Sequence, residues 1–287
     1  MQRQRWWLAA AFLAVALMFL VIPAPESSAA PEAGKIPLNY PKVATTAKAG
    51  DWVLAPPRLW VDQAFQKGAD KQTFIWYAAS MVQPGPAESR IKDLMGKEAV
   101  IPNSLIVPIR KGEKAKVGDV ILTWWQSGSG MERAMVVKGG TPTAPMVRYL
   151  DMDLDNPSGC GKKEDTCKPN SFHVLKKPME PGTAVAYKDK TWGWKHGIVG
   201  NVSGNKVLVI GFAGSLVVMP KADCLALPIR PAVKKGDACM VPNAAVFVKA
   251  KVEKVDPVIG RVFVSGTMWK KDKPYAVAFG NVIPKLP

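Results

Sequence analysis

The sequence predicts an all-β protein, four small β-barrels in a row behind an N-terminal export signal. Three observations predict it. A phrase that opens on Gly-Asp and closes on an apolar pair and a proline recurs four times. Short runs rich in Val and Ile are broken by Gly, Pro and Asn turn residues. Outside the first thirty residues, no apolar pattern of 3.6-residue period runs to useful length.

The N-terminus comes first. Arg3 and Arg5 make a short positive region, and Trp6 to Ile22 then run without a charge. Pro-Ala-Pro-Glu and the small residues Ser27, Ser28, Ala29 and Ala30 follow. This layout predicts a signal peptide over residues 1–29, cut after Ala29 because Ser27 and Ala29 fill the small −3 and −1 positions. The apolar run also sits at the lower edge of what spans a bilayer, so a retained anchor is the alternative. No other stretch approaches membrane-spanning length. The expected location is the periplasm or the cell exterior, with residues 30–48 as a linker.

The repeat sets the domains. Its openings are Gly50-Asp51, Gly118-Asp119, Gly182-Thr183 and Gly236-Asp237, each followed by an apolar run. Its closings are Leu105 to Pro108, Val174 to Pro178, Leu225 to Pro228 and Val282 to Pro284. The barrels are expected at 49–110, 117–178, 180–231 and 235–287. The first carries an insertion before Phe74, the second a cysteine-containing loop from Asp151 to Asn170. The third copy is the clearest. Strands fall over 184–187, 193–202, 206–212 and 215–219, with Ser203-Gly204-Asn205 as a hairpin turn. Short strands at this spacing suit a barrel that closes its own edges. Val185, Val199, Val207 and Val209 should share its core, capped by Trp194.

The segment from Gly182 to Pro228, and next best the segments Lys234–Val255 and Gly260–Trp269, resemble Tudor or Agenet-type SH3-like barrels. The usual phrase of that family is Gly-Asp, a strand, an aromatic-led second strand, a hairpin and a closing Asp-Leu. The resemblance implies the fold, and with it an aromatic cage for methylated lysine or arginine. Trp125 and Tyr149, with Asp151 near, supply part of a cage, and Tyr187 and Trp194 part of another. No copy has a full set, and small cores also use such rings as covers.

The four cysteines suit an oxidising compartment, with Cys160–Cys167 pinning a polar loop and Cys224–Cys239 cross-linking two barrels. A metal site from Cys160, Cys167 and His173 is the rival, but the spacing is wide and a fourth ligand is missing. Asp151, Asp153 and Asp155 alternate like the start of a calcium loop, yet Asn156 and Lys162 stand where that loop needs glycine and glutamate. No nucleophile motif, phosphate loop or small-molecule site is evident, so neither an enzyme nor a cofactor is expected.

The chain carries 39 Lys and Arg against 23 Asp and Glu, a formal charge of +16. Such a balance favours acidic partners. The expected function is therefore non-catalytic binding or scaffolding. A protein or peptide partner would be anchored on Trp60, Trp125, Tyr149, Trp192 and Trp194. The alternative partner is an acidic polymer (envelope glycan, anionic lipid or nucleic acid) held by lysine.

Overall fold

Gly50, Gly118, Gly182 and Gly236 all take positive φ, between 78° and 93°, a region where a side chain is strained. Each donates its N–H to a carbonyl of the second strand of its copy, at Met81, Val136, Val199 and Val252, over 2.7–2.8 Å. The N–H of that same residue returns to the carbonyl of Asp51, Asp119, Thr183 or Asp237 at 2.8–2.9 Å. The aspartates close their turns on the N–H groups of Lys48, Lys116 and Lys234. Thr183 closes the third by donating its hydroxyl to the Glu180 carbonyl. Beyond each clamp the second strand bulges, with register shifts at Met81/Gln83, Val136/Gly140, Val199/Asn201 and Val252/Lys254. The computed structural model describes residues 35–128, 130–152, 164–269 and 273–287. The expected export signal and Cys160 lie outside them.

Four units share one antiparallel plan. Unit 1 has β1 (Trp52–Ala55), helix α1 (Arg58–Lys67), β2 (Tyr77–Gln83), β3 (Glu88–Asp93), β4 (Glu98–Pro102) and β5 (Val107–Pro108), in sheet order β4-β3-β2-β1-β5. Unit 2 has β6 (Val120–Trp124), β7 (Met131–Thr141), β8 (Ala144–Tyr149), β9 (Glu164–Thr166) and β10 (His173–Val174) in the same order. Unit 3 repeats it with β11 (Ala184–Asp189), β12 (Gly193–Ser203), β13 (Lys206–Ile210), β14 (Leu216–Pro220) and β15 (Cys224–Ala226). Unit 4 has β16 (Ala238–Asn243), β17 (Val246–Asp256), β18 (Arg261–Ser265) and β19 (Tyr275–Ala278), with a Met240–Ile283 bridge in place of the last strand. A single pairing, Lys195 with Val246, joins units 3 and 4 into one nine-stranded sheet.

Three expectations are corrected. The sheets are open: none closes into a barrel among the described residues, because the closing strands are two or three residues long and pair only with the first strand. The units are not separate beads either. The described residues form one compact body, and its largest core draws Val53, Trp124, Leu208 and Val264 from four different units. Finally, the protein is mostly β but holds helix α1, of which only Val61 and Ala64 are buried. Two buried positions are too few to write a 3.6-residue stripe.

The insertion of unit 1 is the joint between units. The Phe74 N–H bonds the Gly214 carbonyl of unit 3 at 3.0 Å, and the Trp76 carbonyl accepts from Met131 of unit 2 at 2.8 Å. The supposed linker is docked as well. The Tyr40 hydroxyl lies 3.2 Å from Asn201 Oδ1, and Lys206 Nζ donates to the Asn39 carbonyl at 3.0 Å. In unit 3 the four valines do share one core. Trp194 does not cap it. The pleat turns it to the other face of β12, against Ala184, Ala186 and Leu227.

The clamp predicts unequal glycine substitutions. Gly236→Ala meets no atom within 4 Å and should cost only its backbone strain, roughly 1–3 kcal/mol. Gly182→Ala adds a clash 2.7 Å from the Leu122 side chain and should cost more. Urea unfolding of the full chain measures both, and the order Gly236 above Gly182 would refute the clamp.

Candidate functional site

One end of unit 1 is open. The inward face of β2, β3 and β4 carries Ala79, Ile91, Ala99 and Ile101, since Ala79 pairs with Asp93 and Ile91 with Ala99. Small side chains there leave a groove of about 520 Å³, walled by Ala55, Pro56, Pro57 and Leu59 on one side and the β3–β4 turn on the other. That volume is in the range of ligand sites. Met95 at the turn is 94% exposed and Leu59 62%, so the mouth is apolar and accessible.

The walls are held in place. Asp93 accepts the N–H groups of Met95 and Lys97, both at 2.9 Å, which fixes the turn. Arg58 is committed to Asp62 at 2.8 Å and to the Val100 carbonyl at 3.0 Å, so it ties α1 to β4. Tyr77 lines the groove and is backed by Trp60, with ring centroids 5.8 Å apart. A rigid apolar recess binds without first paying to order itself. Neither the family models nor the curated proteins contain a match to this chain.

The expected aromatic anchors do not converge. Trp60 supports the groove from behind. Trp192 is exposed on the β11–β12 turn, and Trp194 is half-buried in a separate cluster. Trp125 and Tyr149 do share the core of unit 2, but Tyr149 is only 2% exposed and its hydroxyl accepts the Gln126 N–H at 2.7 Å. Neither disulfide is formed in the structure. Cys167, Cys224 and Cys239 are free, two of them buried, and burial pushes the Cys167 thiol up to about 12. His173 is held between Glu113 Oε1 at 2.8 Å and Glu180 Oε2 at 3.4 Å, so both ring nitrogens are engaged. Asp153 and Asp155 lie outside the described residues, while Asp151 is committed to Arg133.

That ion pair is the centre of a polar junction among units 2, 3 and 4. Arg133, 3% exposed, makes a bidentate contact with Asp151 and reaches Asn281 Oδ1 at 2.9 Å. His196 Nε2 donates to the same Asn281 oxygen at 3.1 Å. Burial, then Arg133, push the His196 pKa down to about 4, so it is neutral here. Arg261 donates to the Tyr149 and Met152 carbonyls, both at 3.0 Å. Beside them Glu132 keeps a buried Oε2 with no hydrogen-bond partner among the described residues. Burial, then the Asp151 charge, raise its pKa to about 9. Glu132 is not among the residues that line the groove of unit 1.

Sequence reasoning missed the groove. Its signal is faint, three alanines (Ala55, Ala79, Ala99) far apart in the chain that only the strand register brings together.

Two measurements follow from these groups. Thiol labelling of denatured, unreduced protein should modify Cys167, Cys224 and Cys239, while native protein leaves Cys167 and Cys239 silent. A Cys224–Cys239 linked peptide would contradict the structure. Glu132 binds its proton in the folded state up to about pH 9 but releases it near pH 4.5 when unfolded. Stability should therefore fall as pH rises through that window, by at most about 1.4 kcal/mol per unit. Glu132→Gln should flatten that slope in pH-dependent urea melts, and an unchanged slope would contradict the burial of this acid.

Proposed function

We propose that this chain is an exported, non-catalytic binding protein built of four SH3-like units, and that the groove of unit 1 holds a segment of a protein or peptide partner. The observation that carries it is the open, apolar end of the unit 1 core. The floor residues Ala55, Ala79, Ile91 and Ile101 are buried, while Leu59, Leu94 and Met95 at the rim stand exposed, and covering that rim recovers roughly 25 cal/mol per Å² of apolar surface removed from water. Its pre-set walls and exposed Leu59 and Met95 rim suit binding. Export of the chain rests on its N-terminal pattern alone.

A second reading has one observation in its favour. Lys249 and Lys251 stand exposed on the face of β17. The corresponding residues, Arg133 and Met135 in unit 2 and His196 and Ile198 in unit 3, are buried or half-buried. These lysines could hold an acidic polymer. Salt separates the two readings, because charge-driven binding weakens steeply with added salt and apolar binding does not.

Selection of displayed random peptides on the full protein tests the groove. Wild-type protein should enrich salt-resistant sequences, and Ala79→Leu, which fills the recess, should enrich none of them. Failure of wild-type protein to enrich any sequence, or equal enrichment on the filled variant, would sink the groove as the binding site. Enrichment of acidic sequences that salt releases would favour the lysine face.

A further inference from the structure

The clamp makes the four units comparable position by position. Counting from each glycine, Ala55 of unit 1 corresponds to Thr123, Tyr187 and Val241, and the pairing confirms it. Ala55 faces Tyr77 as Thr123 faces Glu132, Tyr187 faces Lys195 and Val241 faces Val248. On the third strand Asp93, opposite Ala79, corresponds to Tyr149, opposite Ala134. On the fourth strand Ala99, opposite Ile91, corresponds to Asp165, Val217 and Tyr275.

Each of units 2, 3 and 4 therefore carries a tyrosine at one of these three positions: Tyr149, Tyr187 and Tyr275. Unit 1 carries none, and all three of its positions line the groove. Tyr187 reaches the place that Ala79 and Asp93 border in unit 1, whereas Tyr275 is 40% exposed. The Tyr187 hydroxyl lies 3.0 Å from where a Cβ on Gly211 would sit, and its Cε1 3.3 Å from a Cβ on Gly197. Gly197 corresponds to Ala79 of the groove, and Gly211, one residue beyond the Ile198–Ile210 pair, to Asp93. Tyr149 and Tyr187 are almost fully buried, and Tyr275 stacks on Trp269 at 5.4 Å with planes 7° apart.

We propose that the groove of unit 1 takes an aromatic side chain from its partner, beside its own Tyr77 and at the place that Tyr187 fills in unit 3. The proposal rests on the groove being the binding site and adds the chemistry of the occupant. A ring lies flat over Ala79, between Ala55 and Ala99, with Asp93 beside its edge and the Met95 thioether at the rim. Sulfur at a ring edge is a favourable contact.

Two measurements test it. The first is methyl NMR titration of the full protein with N-acetyl-tyrosinamide, N-acetyl-phenylalaninamide and N-acetyl-leucinamide. The aromatic amides should shift the Ala55, Ala79 and Ala99 methyls and bind roughly 2- to 10-fold tighter than the leucine amide. Equal or weaker aromatic binding would overturn the proposal. The second places the ring in the chain itself. Ala55→Tyr copies unit 3 and Ala99→Tyr copies unit 4, with Ala55→Leu as the control. At least one tyrosine variant should melt higher than wild type and than the leucine control, and should lose the amide shifts. If both tyrosine variants melt lower than wild type, the recess is not ring-shaped and the proposal fails. In the peptide selection, enriched sequences without Phe, Tyr or Trp would overturn the aromatic occupant and leave the groove standing as a binding site. Enrichment of no sequence would overturn the groove itself.

Discussion

Everything in this protein hangs on the double hydrogen bond between a positive-φ glycine turn and the bulge of the strand that follows. The glycine N–H and the carbonyl one residue later clasp a single residue of that strand. This fixes which strand residue faces the first strand and where the strand bends. A slip of one residue would turn every core side chain outward. The turn aspartates add a local bond that closes the turn around the glycine. Four uses of one clamp give four sets of strands in the same order, spread over three sheets among the described residues.

None of these sheets is self-sufficient. Units of fifty to sixty residues bury too little surface to be robust alone, and here the cores merge. The helix-bearing insertion of unit 1 lays Phe74 and Trp76 between neighbours, and the segment around Tyr40 straps units 1 and 3 together. At the opposite junction the chain uses charge. Arg133 is nearly buried, and a buried guanidinium is tolerated only when its donors are satisfied. Asp151, Asn281 and the Phe279 carbonyl satisfy them, and that requirement draws unit 4 onto unit 2. Geometric specificity, more than net stabilisation, is what such a junction supplies.

The same economy accounts for the groove of unit 1. In unit 3 Tyr187 fills the end of the core. Unit 1 has alanine, aspartate and alanine at the three compared positions, and a groove with a buried floor lies there.

The repeat, the strands of unit 3 and the shared valine core were legible in the sequence, because turns and strand alternation are written within a few consecutive residues. Trp194 was assigned to the wrong face, an error of one pleat position. Helix α1 went unread because two buried residues write no stripe. The sequence by itself determined the four glycine-led openings, the strands of unit 3 and the net positive charge. Only the tertiary structure decided that the sheets of the described residues stay open, that units 3 and 4 join, that Cys167, Cys224 and Cys239 sit unpaired and that unit 1 carries a groove. Those outcomes depend on sums over side chains from several strands and units, and such sums have no local record in the chain.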